Sequence, residues 1–246
     1  MRPIGTEFEV HSSPSLAVYA VTCMTYCALL EGSADTADMT IVFLHGHGMS
    51  PDDFRPFAQA MRPGAACHFL RGPFEAMGGG LAWWPRDPCF AGLRGDPPRD
   101  LALEVPEGLD AARRMLAATL NDLRQRHPFR PLVLAGYSQG GMFASDTVLR
   151  EAVRVDALAL LSSCRIASQD WPPLLPRMAG LPVFIAHGDH DAVLSPAAGQ
   201  ALRDALAWGG ARVDWLGFDG GHEVPLLVWR RLRGFLQSVA QAHQQT

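Results

Sequence analysis

Residues 136–140, Gly136-Tyr137-Ser138-Gln139-Gly140, follow the pattern G-x-S-x-G. An apolar run over 131–135 precedes them, and Gly141-Met142-Phe143-Ala144 follows. This order predicts a buried strand, a very tight turn and a helix, the arrangement known as a nucleophile elbow. The turn strains the backbone at the serine and brings its neighbours close to the adjacent strand and helix, so glycine is expected at 136 and 140. Ser138 is therefore the candidate nucleophile; the alternative is a Gly/Ser loop of an ordinary α/β protein.

A serine hydroxyl is a weak nucleophile at neutral pH, so it needs a base and a group that orients the base. Two later segments supply both. The strand predicted over 181–186 runs into His187-Gly188-Asp189-His190-Asp191, and the strand predicted over 212–218 runs into Asp219-Gly220-Gly221-His222-Glu223. Loops that follow parallel strands lie at one edge of the sheet, beside the elbow. The chain order Ser, Asp, His is that of α/β-hydrolases.

His222 is the candidate base, because it stands in a glycine-rich loop just before a predicted helix. Asp191 is favoured as the acid over Asp189, because an aspartate directly after a glycine is well placed to bond the backbone amides of the turn. The cluster of His and Asp over 187–191 can also be read as metal ligands, although no second ligand group with zinc-like spacing occurs elsewhere.

The loop Leu44-His45-Gly46-His47-Gly48 directly follows a strand predicted over 39–43. Attack on an ester places negative charge on the former carbonyl oxygen, and preorganised backbone N–H groups must meet that charge. A glycine-rich loop after an early strand can aim an amide at the elbow. We expect the amides of His47 and Gln139 to form this oxyanion hole; the alternative is a turn whose histidines face solvent.

Four motifs carry a family resemblance: FLHGHG, AGYSQGG, AHGDHD and GGHEVP, which start at residues 43, 135, 186 and 220. As a set they resemble the phospholipase/carboxylesterase family of α/β-hydrolases, which includes acyl-protein thioesterases and small bacterial carboxylesterases. The resemblance covers the chain from about Met39 to the C-terminal helix. It implies the α/β-hydrolase fold, in which helices flank a mostly parallel central sheet, without a large cap domain.

The same resemblance implies roles for the residues of the motifs. Ser138 would be the nucleophile, Asp191 the acid and His222 the base. The backbone amides of His47 and Gln139 would form the oxyanion hole. No cofactor and no metal would be needed, and the substrates would be esters or thioesters.

Residue composition limits the class of protein and its partners. A chain of 246 residues fits one α/β domain with a substantial core. The net charge of −4 is small and no block of Lys or Arg occurs, so neither nucleic acid nor stable membrane insertion is expected. The five cysteines lack C-x-x-C spacing and predict reduced thiols in a cytoplasmic protein. The expected partner is a small-molecule ester, and the oligomeric state is left open.

The N-terminal part departs from the family pattern. Residues 1–14 show no periodicity, and Gly5-Thr6-Glu7-Phe8 is what two adjacent cloning sites would encode, so we expect a vector-derived or disordered extension before a single domain over 15–246. Residues 16–30 are uncharged and apolar but shorter than a membrane span of about 20 residues. We expect a first strand there, followed by a turn at 31–35; the core of a signal peptide, which would imply secretion, is the alternative.

Apolar periodicity elsewhere alternates between helices and strands, as in a sheet covered on both faces. The predicted helices lie over 51–61, 107–126, 196–208 and 225–240, and further strands lie over 66–70 and 155–162.

Residues 72–100 show little periodicity, and so long a stretch within a compact domain is usually a functional loop. It contains Gly78-Gly79-Gly80, followed by Leu81-Ala82-Trp83-Trp84-Pro85. Two tryptophans between glycine and proline predict an aromatic wall, and family members carry a similar Trp-Pro stretch beside the active site. We therefore expect Trp83 or Trp84 to contact the substrate; the alternative is that both pack as loop anchors.

These features together predict a serine carboxylesterase that hydrolyses short- to medium-chain esters through an acyl-enzyme. Shorter chains are expected because no cap domain would enclose a long lipid. A lysophospholipase or an acyl-protein thioesterase would use the same catalytic groups. A non-catalytic binding protein on the same fold is the remaining alternative, because a fold does not fix a function.

Overall fold

The computed structural model describes residues 27–30, 36–56, 64–76, 78–85 and 97–245. Several predicted features lie outside the described residues in whole or in part. They are the extension over 1–14, most of the apolar segment 16–30, the turn at 31–35, the end of the helix over 51–61 and part of the loop over 72–100.

A seven-stranded sheet forms the centre of the described structure. Its strands are β1 (Cys27–Leu30), β2 (Met39–Leu44), β3 (Ala65–Leu70), β6 (Leu132–Tyr137), β7 (Ala157–Leu161), β8 (Pro182–Gly188) and β9 (Arg212–Phe218). They lie in the order β1-β3-β2-β6-β7-β8-β9, and every pair is parallel except β1 with β3. The predicted, mostly parallel α/β sheet is confirmed.

Helices pack on both faces of this sheet. They are α1 (Leu109–Arg126), α2 (Gln139–Arg150), α3 (Pro196–Trp208) and α4 (Leu226–Gln244). Successive side chains of a strand point to opposite faces. In β6, Leu132 and Leu134 pack in the core beneath α1, α2 and α3, whereas Val133 and Ala135 pack beneath α4. Burial on both faces explains why the parallel strands read as continuous apolar runs.

The register places the carboxyl ends of neighbouring strands side by side. Gly136 of β6 lies opposite Leu44 of β2 on one side and Leu160 of β7 on the other. At the other end of the sheet, Gly188 of β8 lies opposite Phe218 of β9. The loops that follow these strands therefore meet at one edge, and this is where the candidate site lies.

The structure adds local detail at three places. β1 pairs with β3 and not with β2, the strand that follows it in the chain. The helix predicted over 51–61 begins with a 3₁₀ turn at Pro51–Phe54. A small hairpin, β4 (Phe74–Glu75) with β5 (Leu81–Ala82), lies within the stretch that showed little periodicity. Strands of two residues are too short to produce a periodic pattern in the sequence.

A buried carboxylate anchors helix α2, which begins at the elbow. Asp146 is fully buried and accepts hydrogen bonds from Arg113 Nη1 (2.6 Å), Arg150 Nε (3.0 Å) and Trp171 Nε1 (2.8 Å). An unpaired buried charge would be strongly destabilising, whereas one with three donors is compensated. The contact with Arg113 joins α1 to α2 and fixes the helix on which the elbow rests.

No helix in the described part of the chain is both long enough and apolar enough to cross a membrane.

Because His68 in β3 is partly buried, we expect the stability of the protein to depend on pH. Burial, together with the nearby charges of His127 and Arg126, lowers the pKa of His68 from 6.5 to about 4. Between these values the unfolded chain binds a proton that the folded chain does not, so stability falls as the pH falls from about 6.5 to 4. At about 1.4 kcal/mol per unit, reduced by roughly half because the imidazole is partly exposed, we expect a loss of about 1–2 kcal/mol.

Urea unfolding at pH 7 and pH 4.5 measures this loss, and His68→Gln should make the difference between the two pH values smaller. His243→Gln, at a partly exposed position on α4, controls for the removal of a histidine in general. An unchanged difference in His68→Gln would contradict the assignment.

Candidate active site

Ser138 lies between the end of β6 and the start of α2. Its backbone angles are φ 52° and ψ −118°, a region that residues with a side chain rarely adopt. Its amide donates to the carbonyl of Leu161 at the end of β7 (2.9 Å), which holds the strained turn in place. The predicted order of strand, tight turn and helix is confirmed, and the serine projects from the carboxyl edge of the sheet.

The two glycines of the motif stand where the backbone packs most closely. A Cβ at Gly136 would lie 2.3 Å from the carbonyl oxygen of Gly140, and a Cβ at Gly140 would lie 2.2 Å from that of Leu44. Both distances are far below van der Waals contact, and the obstacle is backbone in each case. The expectation that these positions require glycine is confirmed.

Ser138, His222 and Asp191 form a chain of hydrogen bonds. His222 Nε2 is 2.9 Å from Ser138 Oγ, and His222 Nδ1 is 2.7 Å from Asp191 Oδ2. An ionised carboxylate only accepts, so Nδ1 carries the imidazole proton and Nε2 is free to accept the proton of the serine hydroxyl. This is the geometry that activation of a serine by a neighbouring base requires.

Asp191 uses each carboxylate oxygen for a different task. Oδ2 faces His222, while Oδ1 accepts from the amides of Val193 (2.8 Å) and Leu194 (2.9 Å). Burial by itself raises the pKa of Asp191, but hydrogen bonds from His187 and His222 and the amide of Leu194 outweigh it and hold the pKa well below its usual range. Asp191 is therefore charged at neutral pH.

Asp189 differs from its predicted place. We expected its side chain to bond the amides of the turn, but it is exposed, and no hydrogen bond of its carboxylate occurs among the described residues. Asp191 makes those amide contacts itself. The turn brings the carboxylate of residue 191 inward, so this residue both bonds His222 and ties down its own loop.

His187 is a part of the site that sequence reasoning placed only in a possible metal cluster. It is 1% exposed, and its Nε2 lies 3.3 Å from Asp191 Oδ2 and 3.2 Å from the carbonyl of Leu194. A Cβ at Gly199 of α3 would lie 2.3 Å from His187 Nδ1, so that glycine makes room for the ring. Within the described residues, no group of three or more His, Cys, Asp or Glu is arranged to hold a metal ion.

Two hydroxyls hold the loop that carries His222. Tyr137 Oη donates to the carbonyl of His222 (2.8 Å), and Ser162 Oγ donates to the carbonyl of Glu223 (3.0 Å). Burial, with the charges of Asp191 and Glu223, raises the pKa of Tyr137, so its phenol stays protonated and can donate. Neither residue gave a signal in the sequence, because each contact joins positions more than 60 residues apart.

The amides of His47 and Gln139 are available to an oxyanion. Gln139 is the first residue of α2, where backbone N–H groups lack partners within the helix. Among the backbone hydrogen bonds outside helices and strands in the described ranges, neither amide acts as a donor. Both residues line the same cavity as Ser138. Burial, and then the charge of Arg99, lower the pKa of His47, which favours its neutral form.

The side chain of Gln139 ties the Trp83-Trp84 loop to the elbow. Its Oε1 accepts from the amide of Trp83 (2.9 Å), and its Nε2 donates to the carbonyl of Trp84 (3.3 Å). Gln139 is only 5% exposed, so both polar ends of its amide are satisfied inside the protein. Sequence reasoning used only the backbone of this residue.

The structure separates the two tryptophans that were paired in the prediction. Trp83 is fully buried, donates from Nε1 to the carbonyl of His45 (2.8 Å) and stacks on His45 and Phe143. Trp83 is not among the residues that line the cavity, and its contacts are those of a loop anchor. Trp84 does line the cavity, with its ring edge-to-face against Phe143.

The cavity beside Ser138 has a volume of about 510 Å³. Trp84, Leu101, Val105, Met142 and Leu194 give it a mainly apolar wall. Polar groups are few and stand at particular places: the serine, the two candidate oxyanion amides, and the side chains of Arg99, Glu104 and Glu107. A pocket of this size and character is typical of a site for a small organic molecule.

Comparison with known proteins gives one family and many similar structures. The phospholipase/carboxylesterase family model matches residues 102–239. A curated relative, acyl-protein thioesterase 1 of Neurospora crassa, is 30% identical over 128 residues, which are 48% of this chain and 52% of that protein. The chain thus matches about half the length of this curated relative.

Two crystal structures of esterases are similar to this chain over most of its length. Esterase PE8 is 26% identical with a TM-score of 0.72, and the match covers 86% of this chain and 97% of that one. A carboxylesterase from Mesorhizobium loti is 23% identical with a TM-score of 0.68, covering 82% and 89%. At this level of identity the second structure supports the fold alone.

Proposed function

Because the chain belongs to the phospholipase/carboxylesterase family, we propose that it is a serine carboxylesterase that hydrolyses short- to medium-chain carboxylic esters. The observation that carries this proposal is the hydrogen-bonded chain from Ser138 Oγ through His222 to Asp191, at 2.9 Å and 2.7 Å. It opens onto a mainly apolar cavity that His47 and Gln139 also line, and neither of their amides donates in the loop and turn hydrogen bonds of the described residues. A binding protein would need none of these groups in this geometry.

The reaction follows from the positions of these groups. His222 Nε2 takes the proton of Ser138 as its oxygen bonds the ester carbonyl carbon, and the amides of His47 and Gln139 stabilise the resulting oxyanion. His222 then gives the proton to the leaving alcohol oxygen as the C–O bond breaks. Water, deprotonated by His222, attacks the acyl-enzyme and releases the acid and the free serine. Asp191 holds the neutral imidazole in the required tautomer and stabilises the imidazolium that forms when His222 takes up the proton.

A thioester is the second candidate substrate, because the curated relative is named an acyl-protein thioesterase. Its carbonyl would meet the same serine and amides. Comparing kcat/KM for an oxygen ester and a thioester with the same acyl chain distinguishes the two classes.

Covalent labelling tests the proposal most directly. A fluorophosphonate should modify the native protein at Ser138, because an activated serine attacks its phosphorus and the adduct is stable. Ser138→Ala should not be labelled, whereas Ser163→Ala, which removes a neighbouring hydroxyl that bonds the carbonyl of Ser138, should still be labelled. Labelling that persists in Ser138→Ala, or is absent from the native protein, would contradict the proposed function.

Trp84 should set part of the preference for chain length. Trp84→Phe shortens one wall of the cavity and removes roughly 40 Å² of apolar contact with a long acyl chain. At about 25 cal/mol per Å² this is about 1 kcal/mol, or about five-fold in kcat/KM. We expect this loss for an octanoate ester and almost none for an acetate ester.

Trp83→Phe is the matched control, because Trp83 lies in the core away from the cavity. Trp83→Phe should lower the melting temperature and change kcat/KM by the same factor for all esters. If Trp84→Phe also lowered acetate and octanoate hydrolysis equally, Trp84 would be scaffold and not a specificity residue.

A further inference from the structure

Arg99 brings a positive charge into the cavity beside Ser138. Its side chain is partly buried, and most of the surrounding wall is apolar. A guanidinium in such a place is costly unless another group offsets its charge. The charge of Arg99 therefore needs an opposite charge or hydrogen-bond acceptors beside it.

The backbone of Arg99 is fixed to the loop that follows β8. Its amide donates to the carbonyl of Val193 (3.2 Å), its carbonyl accepts from the amide of Ser195 (2.8 Å), and it bridges in parallel with Leu194. The same segment binds Asp191, because the amides of Val193 and Leu194 donate to Asp191 Oδ1. Arg99 is therefore held in a constant position relative to the candidate catalytic acid.

Within the described ranges, no carboxylate lies within salt-bridge distance of Arg99, although eight other arginines of the chain make such pairs. No hydrogen bond of its guanidinium occurs there either. Two carboxylates, those of Glu104 and Glu107, also line the cavity. Burial raises the pKa of Glu104 and the charge of Arg99 opposes that rise, so the two groups face the same space. The charge of Arg99 also lowers the pKa of His47, the candidate oxyanion residue, which lines the same cavity.

We propose that Arg99 forms an anion subsite of this cavity. The preferred esters carry one carboxylate, on the part of the substrate that contacts the guanidinium. This inference rests on the proposed function and names its substrate class. The planar guanidinium can bind a carboxylate through two parallel hydrogen bonds. Because Glu104 and Glu107 also line the cavity, their charges would repel a phosphate dianion more strongly than a monoanion.

The test compares two 4-nitrophenyl esters of nearly equal size, the monoester of glutaric acid and the ester of hexanoic acid. For the glutarate ester, Arg99→Gln should lower kcat/KM about 10- to 100-fold, mainly through KM, because it removes the charge and the paired donors of the guanidinium while leaving a polar side chain. For the hexanoate ester the change should stay within about three-fold. Arg99→Lys should recover part of the glutarate activity, and Glu104→Gln should increase it.

Salt provides an independent readout. Raising the ionic strength from about 0.05 to 0.5 M should raise KM for the glutarate ester and leave KM for hexanoate nearly constant, and Arg99→Gln should abolish the difference. If Arg99→Gln lowered kcat/KM equally for both esters, or for neither, Arg99 would have only a structural role. The inference would then be overturned while the esterase proposal stood. A higher kcat/KM for a phosphate-bearing ester than for the glutarate ester would overturn the assignment to a monoanion. Absence of hydrolysis of both esters, together with an unlabelled Ser138, would overturn both proposals.

Discussion

Replacing Ser138 or His222 with alanine is expected to lower kcat by about 10⁴–10⁶ while the fold stays intact. In the proposed mechanism Ser138 supplies the oxygen that becomes acylated, and His222 Nε2, 2.9 Å away, takes its proton. The two act as a unit, so the double variant should be little slower than either single one. Steady-state hydrolysis of a butyrate ester, with circular dichroism to check folding, measures the effect.

His190→Ala is the matched control for His222→Ala. His190 lies in the neighbouring loop, is exposed and contacts Asp219 at 3.2 Å, so its removal should change kcat by less than about two-fold. A variant lacking Ser138 or His222 that kept more than about a tenth of the native activity would show that another group performs the chemistry.

Asp191→Asn should lower kcat by about 10³–10⁴, more than an isosteric change would suggest. The two amides of Val193 and Leu194 require an acceptor at the Oδ1 position, so the asparagine oxygen must lie there. Its NH₂ group then faces His222 Nδ1, where the carboxylate stood. Two donors cannot face each other, so the imidazole proton moves to Nε2, and the base then presents a proton to Ser138 instead of a lone pair.

Asp189→Asn provides the comparison within the same loop. Because Asp189 is exposed and Asp191 makes the contact with His222, we expect at most about a two-fold change in kcat. Measuring kcat for both variants on one ester is sufficient. A larger loss in Asp189→Asn than in Asp191→Asn would transfer the role of the acid to Asp189.

The elements nearest the elbow could be predicted because their causes are local. Gly136 and Gly140 are needed for close backbone packing, and the requirement is visible in five consecutive residues. The strands that are buried on both faces read as apolar runs, so β6, β8 and β9 were found within one or two residues of their observed ends. The order of the loops along a parallel sheet then indicated which residues could meet.

Contacts between distant residues could not be predicted in this way. Trp83 and Trp84 are adjacent and chemically identical, yet one is buried in the core and the other faces the cavity. The loop that carries both tryptophans is bound through its main chain by Gln139, more than 50 residues away. His187 was noticed for its chemistry, but its contact with Asp191 depends on the space left by Gly199 in a later helix.

The hydrogen bonds between Gln139 and the Trp83-Trp84 loop determine which changes in the cavity wall the protein can tolerate. Its amide contacts only the main chain of that loop, through one N–H and one C=O. The side chain at 84 can therefore be exchanged without loss of either bond, and the elbow keeps its support whatever residue forms the wall. Substitutions at residue 84 can therefore change the size of substrate that fits the cavity with little effect on the catalytic groups. This residue is a natural first position for saturation mutagenesis.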